Sequence, residues 1–196
     1  MIKSKKEYLF YLEADRKALG KPNYSLFTIS KEYIKRDYLW IFQRLLRKSE
    51  YYKNVASKKS IFGKLTYLYL KIRFKNLSLK LGFSIPENVF GPGLSIVHYG
   101  TIVVNANAKV GKNCRIHPST CIGASGGMNK APQIGDNVYI APGVKVFGDI
   151  QITNNIAFAA NAAVNNSFLK ENYLIGGVPA KEIKEIDITK IIKHLK

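Results

Sequence analysis

Cysteine is almost absent from this 196-residue chain, which has only Cys114 and Cys121. The two fit no metal-binding spacing such as C-x-x-C and are too few for a disulfide framework. Both read as small buried side chains of a protein kept reduced. Long hydrophobic runs are missing as well: no window approaches the roughly 20 apolar residues that span a membrane. The opening MIKSKKEYLFYLEAD lacks the apolar core and small-residue cleavage site of a secretory signal. A cytoplasmic location is expected. Acidic residues are scarce, 13 Asp and Glu against 31 Lys and Arg, for a formal net charge of +18. Such a balance favours polyanionic partners: nucleic acid, anionic lipid or phosphorylated small molecules. No helix-turn-helix, zinc-finger or RNP pattern accompanies it, so no nucleic-acid partner is expected. Peripheral association with the inner face of the plasma membrane suits the Lys, Arg, Tyr and Phe crowded into residues 1–80.

What is present falls into two halves with different periods. Residues 1–81 read as a helical region. KEYIKRDYLWIFQRLLRK places Ile34, Tyr38, Ile41, Phe42 and Leu45 on one stripe, after a break at LGKPNYS. A second helix is expected over Ile61 to Leu81, ended by Gly82 and later by Pro86. These apolar stripes need a surface to pack on, either one another or a neighbouring subunit.

From residue 82 aliphatic residues recur every six positions: Val104, Val110, Ile116, Ile122, Ile134, Ile140, Val146, Ile152, Phe158 and Val164. A period of six is neither that of a helix nor that of a hairpin. It belongs to a solenoid in which each hexapeptide supplies a short strand and a turn, and three strands close a coil. Gly, Asn and Asp supply the corners. The series skips position 128, where GASGGMNKAPQ is rich in glycine and polar residues. An excursion loop at about 124–133 is therefore expected, the kind of projection that carries sites. The repeat fades after residue 166, and 185–196 reads as a basic tail or capping helix. The fold class is α+β: an N-terminal helical region, a parallel β-helix over 82–184 with one excursion loop, and a short C-terminal segment.

Over about 82–184 the chain resembles the hexapeptide-repeat acyltransferases, in particular the serine acetyltransferase branch, which also holds many sugar and capsule O-acetyltransferases. The resemblance rests on GPGLSIVHYGTIVV, AKVGKNCRIHPSTCIGASGG, APQIGDNVYIAPGVKVFGDI and GGVPAKEI. It implies a left-handed β-helix, a homotrimer, and acetyl-CoA as co-substrate in a groove between adjacent β-helices, with no metal. His98 falls on the family's catalytic position, where an imidazole can take a hydroxyl proton near neutral pH. The positions matching the family's CoA groove are Ala141, Ala159, Ala160, Gly176, Gly177 and Lys181. Small side chains there admit the pantetheine arm, and Lys181 offers a charge to phosphate. Tyr99, His117 and Asn129 are candidates for holding the acceptor, with His117 expected one rung above Tyr99. His194, in the basic tail, suggests no role.

Three positions depart from the serine-specific pattern: Val97 stands where the family has Asp, Ala131-Pro132 replaces a His-Pro pair, and Phe83 replaces an acidic residue. An amino-acid acceptor presents an ammonium group that calls for such partners, whereas a sugar hydroxyl does not. The expected reaction is therefore acetyl transfer to a saccharide in surface-polysaccharide biosynthesis, with serine O-acetylation for cysteine biosynthesis as the alternative. A non-catalytic scaffold and a nucleic-acid-binding module are the other readings. Whether the helical region pairs trimers into hexamers is left open by the sequence.

Overall fold

Each helix starts and stops where its capping residues dictate. The computed structural model describes residues 1–23 and 37–195. Helix α1 (Lys5–Ala18) begins at Ser4, whose side chain accepts from Glu7 N. Helix α2 (Tyr38–Asn54) begins at Asp37, which accepts from Trp40 N. Helix α3 (Ile61–Leu81) is capped by Ser60 and closed by Gly82 at φ 77°, a left-handed conformation that glycine adopts without steric cost. The expected bounds of α3 are therefore the observed ones. Ile34 of the expected stripe lies outside the described residues.

Beyond Gly82 the chain winds into a left-handed parallel β-helix of short strands, β1 (Phe83–Ser84) to β13 (Tyr173–Gly176). They line up as three sheets: β1 with β3 (Ile102–Val104), β6 (Thr120–Gly123), β9 (Lys145–Phe147) and β12 (Ala163–Val164); β4 (Lys109–Val110) with β7 (Gln133–Ile134) and β10 (Gln151–Ile152); and β2 (Ser95–Ile96) with β5 (Arg115–Ile116), β8 (Tyr139–Ile140), β11 (Ala157–Phe158) and β13, where β14 (Lys181–Glu185) pairs antiparallel with β13 on the edge. The expected aliphatic series fills the interior as ladders. Val104, Ile122, Val146 and Val164 stack in one; Val110, Ile134 and Ile152 in another; Ile116, Ile140 and Phe158 in the third. All are buried. Corner asparagines Asn113, Asn137 and Asn155 take φ near +57° and pass a side-chain amide hydrogen bond from coil to coil, at 2.8 and 2.9 Å. The repeat continues past 166: Phe168 bridges Ile152, and Ile175 pairs with Phe158. Its hexapeptide spacing is lost there, which is why the sequence pattern fades.

The excursion loop leaves between β6 (Thr120–Gly123) and β7 (Gln133–Ile134), as expected, with Ser125–Lys130 exposed and Ala131 buried under it. Lys130 and Asp149 pin it at 2.7 Å. The C-terminal segment forms two 3-10 turns, Ile188–Lys190 and Lys193–Leu195, instead of a capping α-helix. It lies along the side of the third sheet, where Ile188 and Ile192 bury Ala157 beside Tyr139 and Leu174.

The helices close the N-terminal end of the β-helix, and here the expected stripe is only partly right. The buried face of α2 carries Phe42 and Leu46 but also Gln43, Arg47 and Glu50. The end of a solenoid presents backbone groups with no further coil to bond them. Gln43 donates to Leu94 O at 2.6 Å and accepts from Ile96 N at 2.9 Å. Arg47 donates to the carbonyls of Phe90 and Gly91, and Asp15 accepts from Gly93 N and Leu94 N. Arg47 is also paired with Asp15 at 2.8 Å and Glu50 at 3.1 Å, all three buried. The buried polar residues thus finish the ladder hydrogen bonds that the first coil leaves open.

Helix α3 has two apolar faces. Leu70, Phe74 and Leu81 face the core, while Phe62, Leu65, Leu68, Tyr69, Ile72 and Leu79 are exposed at spacings of three and four. Lys64, Lys71 and Lys75 are exposed among them. Among the described residues no helix is long and apolar enough to cross a membrane.

Candidate active site

His98 stands on a corner that is longer than the others. Twenty positions separate Ile96 from its partner Ile116, but eighteen separate Ile102 from Thr120. The turn between β2 (Ser95–Ile96) and β3 (Ile102–Val104) therefore holds two residues more than the turn in the next coil. Gly100 faces Pro118, so the extra residues are His98 and Tyr99. Both are exposed on the resulting bulge. His117 follows Ile116 in register with Val97, not above Tyr99 as expected. Its ring centroid nevertheless lies 6.0 Å from that of His98, and its other face meets Tyr139 edge-on at 5.2 Å.

His117 is a half-buried imidazole with Nε2 unpaired. Burial, then the charge of Arg115, then His98 lower its pKa to about 4, so it is neutral across the physiological range. Among the described residues no carboxylate lies within ion-pair distance of His98. Phe83 is buried against Phe42 at 5.0 Å, so this position belongs to the core and not to a site.

The strand register extends the site down the solenoid. Val97, His117, Ala141, Ala159 and Gly176 occupy equivalent positions at the end of the third sheet. Four of the residues expected on a CoA groove or beside the acceptor therefore share one column that starts next to His98. Ala160 and Gly177 are exposed at the adjoining corner, and Lys181, also exposed, pairs with Gly176. In this column Ala159 is half-buried and Ala141 is buried, so the accessible small residues are Ala159, Ala160 and Gly177, followed by Lys181. Gly176 itself is buried: a Cβ there would sit 2.8 Å from Ala159 Cβ and 2.9 Å from Ile183 Cδ1. Its smallness is accounted for by packing. Asn129 is elsewhere. The excursion loop leaves from the corner after the first sheet, whereas His98 lies at the corner before it, so one chain does not bring the two together.

Arg115 went unremarked in the sequence, and His194 was given no role there. Arg115 pairs in register with Ser95 and faces a cavity also lined by Val97, Leu39, Lys21 and Asp37. His194 is folded against this region by the C-terminal turns, with its Nε2 buried and unpaired; burial first, then Arg115, lowers its pKa. The hexapeptide period marks interior residues, and these are outward-facing, so it carried no signal for either. Cys114 is buried, which pushes its thiol up to about 12 and makes it inert, and Cys121 is half-buried. Among the described residues no group of His, Cys, Asp or Glu could hold a metal ion.

No family model matches the chain. Over 102 residues it is 33% identical to the serine acetyltransferase of Staphylococcus xylosus, covering 51% of this chain and 47% of that protein. The Staphylococcus aureus serine acetyltransferase is 32% identical over the same length. The chain spans about half the length of the curated relatives it matches. Among solved structures, the serine acetyltransferase of Brucella abortus superposes with a TM-score of 0.68 at 26% identity, covering 94% of this chain and 72% of that one. Its complex with coenzyme A gives a TM-score of 0.67 at 25% identity, covering 93% and 70%.

Proposed function

We propose that the chain is an acetyl-CoA-dependent O-acetyltransferase with His98 as general base. The observation that carries this reading is the exposed imidazole on a two-residue corner insertion, at the head of a column of small residues. The imidazole of His98 accepts the acceptor's hydroxyl proton as the oxygen attacks the thioester carbonyl. The resulting imidazolium returns the proton to the departing thiolate. Transfer is direct, so no side-chain nucleophile is needed. Ala159, Ala160 and Gly177 would bind the pantetheine arm, and Lys181 a phosphate.

L-Serine is the acceptor that the comparisons favour, since the relatives and neighbours are named serine acetyltransferases. This ranks the sequence-based alternative above the saccharide. The saccharide keeps one specific support: no described carboxylate stands beside His98 to meet an ammonium group, and Val97 and Ala131 are apolar. The deciding measurement is CoA release from acetyl-CoA with L-serine, free sugars and nucleotide sugars, in wild type and His98→Ala. Turnover of one acceptor, falling about 10²-fold or more in the variant, is expected. Undiminished turnover in His98→Ala would remove it as the base.

Two wider features belong to the same reading. A homotrimer would let the excursion loop of one copy, with Asn129, approach His98 of another. The exposed apolar and basic row of α3 suits an anionic membrane surface, consistent with a place at the inner face of the membrane.

A further inference from the structure

Three buried polar atoms, Ser95 Oγ, His117 Nε2 and His194 Nε2, have no hydrogen-bond partner among the described residues, and Arg115 pairs in register with the first and acts by its charge on the other two. Ser95 pairs in register with Arg115 and is fully buried. His117 lies two residues along the same strand edge, and His194 is brought in from the far end of the chain, both close enough for the Arg115 charge to disfavour their protonation. Arg115 is half-buried, yet it makes no hydrogen bond or ion pair with any described residue. An arginine in such a place is ordinarily paired, because its five N–H donors lose water on burial. The other charges on the cavity, Lys21 and Asp37, are spent on each other in an ion pair. What is left, among the described residues, is an unopposed guanidinium and a buried hydroxyl on a cavity bordered by Val97, the residue before His98, with two imidazoles within reach of the guanidinium's charge.

We propose that Arg115 and Ser95 form an oxyanion subsite that holds a carboxylate or phosphate of the acceptor beside His98. The guanidinium fork matches either group with two parallel hydrogen bonds, and the Ser95 hydroxyl donates a third. His117 and His194 lie within the field of Arg115, so their ring nitrogens report on what the guanidinium binds. The subsite gives the acceptor an anionic handle, which a neutral sugar lacks and which serine or a sugar phosphate supplies. This rests on the transferase reading for the word acceptor, but the binding itself does not require turnover.

The test therefore reads binding first. The side-chain ¹⁵N signals of His117 and His194 are followed while L-serine, glycerol 3-phosphate, serinol or glycerol is added to wild type, Arg115→Gln and Arg115→Lys. Saturable shifts are expected with L-serine or with glycerol 3-phosphate, and which of them binds identifies carboxylate or phosphate. Serinol and glycerol, which lack the anion, should give none. Arg115→Gln should weaken the response about tenfold or more, and Arg115→Lys by less, since it keeps the charge without the fork. Acetyl-CoA affinity should be unchanged in both variants, which also reports that they are folded. Equal binding of serinol, an unchanged response in Arg115→Gln, or no saturable binding of either anion overturns the subsite; a tenfold loss of acetyl-CoA affinity reassigns Arg115 to the co-substrate. Anion binding without turnover of any acceptor would sink the transferase reading and leave the subsite standing. Turnover of a neutral acceptor, unaffected by Arg115→Gln, would do the reverse.

Discussion

At the scale of residues, the two imidazoles 6.0 Å apart have different surroundings and so different uses. His98 is exposed on the bulge, and nothing described covers it. His117 is packed against Tyr139 and held neutral by burial and by Arg115, which brings its pKa to about 4. In the unfolded chain a histidine titrates near 6.5. Between those values the unfolded state binds more protons than the folded one, so folding stability falls as pH drops from about 6.5 toward 4. Above 6.5 the contribution is fully present. The partial exposure of the ring tempers the effect. A histidine titration by NMR should show His117 uncharged down to about pH 4, and His117→Asn should flatten the stability profile over this window. A His117 that protonates near 6.5 would show that burial and Arg115 do not control it.

At the scale of elements, α3 shows why an apolar residue count is not a burial count. Its inner stripe is filled by Leu70, Phe74 and Leu81, all buried, of which Phe74 and Leu81 join the core. The outer row of Phe62, Leu65, Leu68 and Ile72 has no partner among the described residues. The neighbouring Lys64, Lys71 and Lys75 carry the sign that anionic lipid attracts. Cosedimentation with phosphatidylglycerol vesicles, and weaker cosedimentation with pure phosphatidylcholine vesicles, is the expected result. Leu65→Asp with Ile72→Asp should abolish it, and added salt should weaken it. If wild type stays in solution with both vesicle types, the membrane-face reading fails.

At the scale of the whole molecule, the helices and the solenoid are one hydrophobic core, since Phe42, Leu46 and Phe74 join the interior ladders. The polar groups of Asp15, Gln43 and Arg47 finish the first coil, so the helical region acts as a cap and the coils need no second copy to close that end. The site is different, because Asn129 and His98 are on separate corners of one chain. Light scattering at assay concentrations should give the mass of three chains. A monomer with full activity would show that one chain carries the whole site, and a six-chain mass would assign the exposed row of α3 to pairing trimers.

The sequence by itself determined the solenoid. A period of six allows only strands that repeat with each coil, and the ten aliphatic positions found their ladders because burial selects side chains by type and spacing. It also determined the end of α3, where Gly82 has the freedom for a left-handed cap, and the excursion loop, where no aliphatic residue held the chain inside. Only the tertiary structure decided the register that sets His117 beside Val97, because the two-residue corner insertion is invisible without the next coil's pairing. Only it decided that Gln43, Arg47 and Asp15 are interior, since their partners are backbone groups of a distant segment. And only it brought His194 to Arg115. Polar contacts of this kind depend on where distant segments meet, and no local period records that.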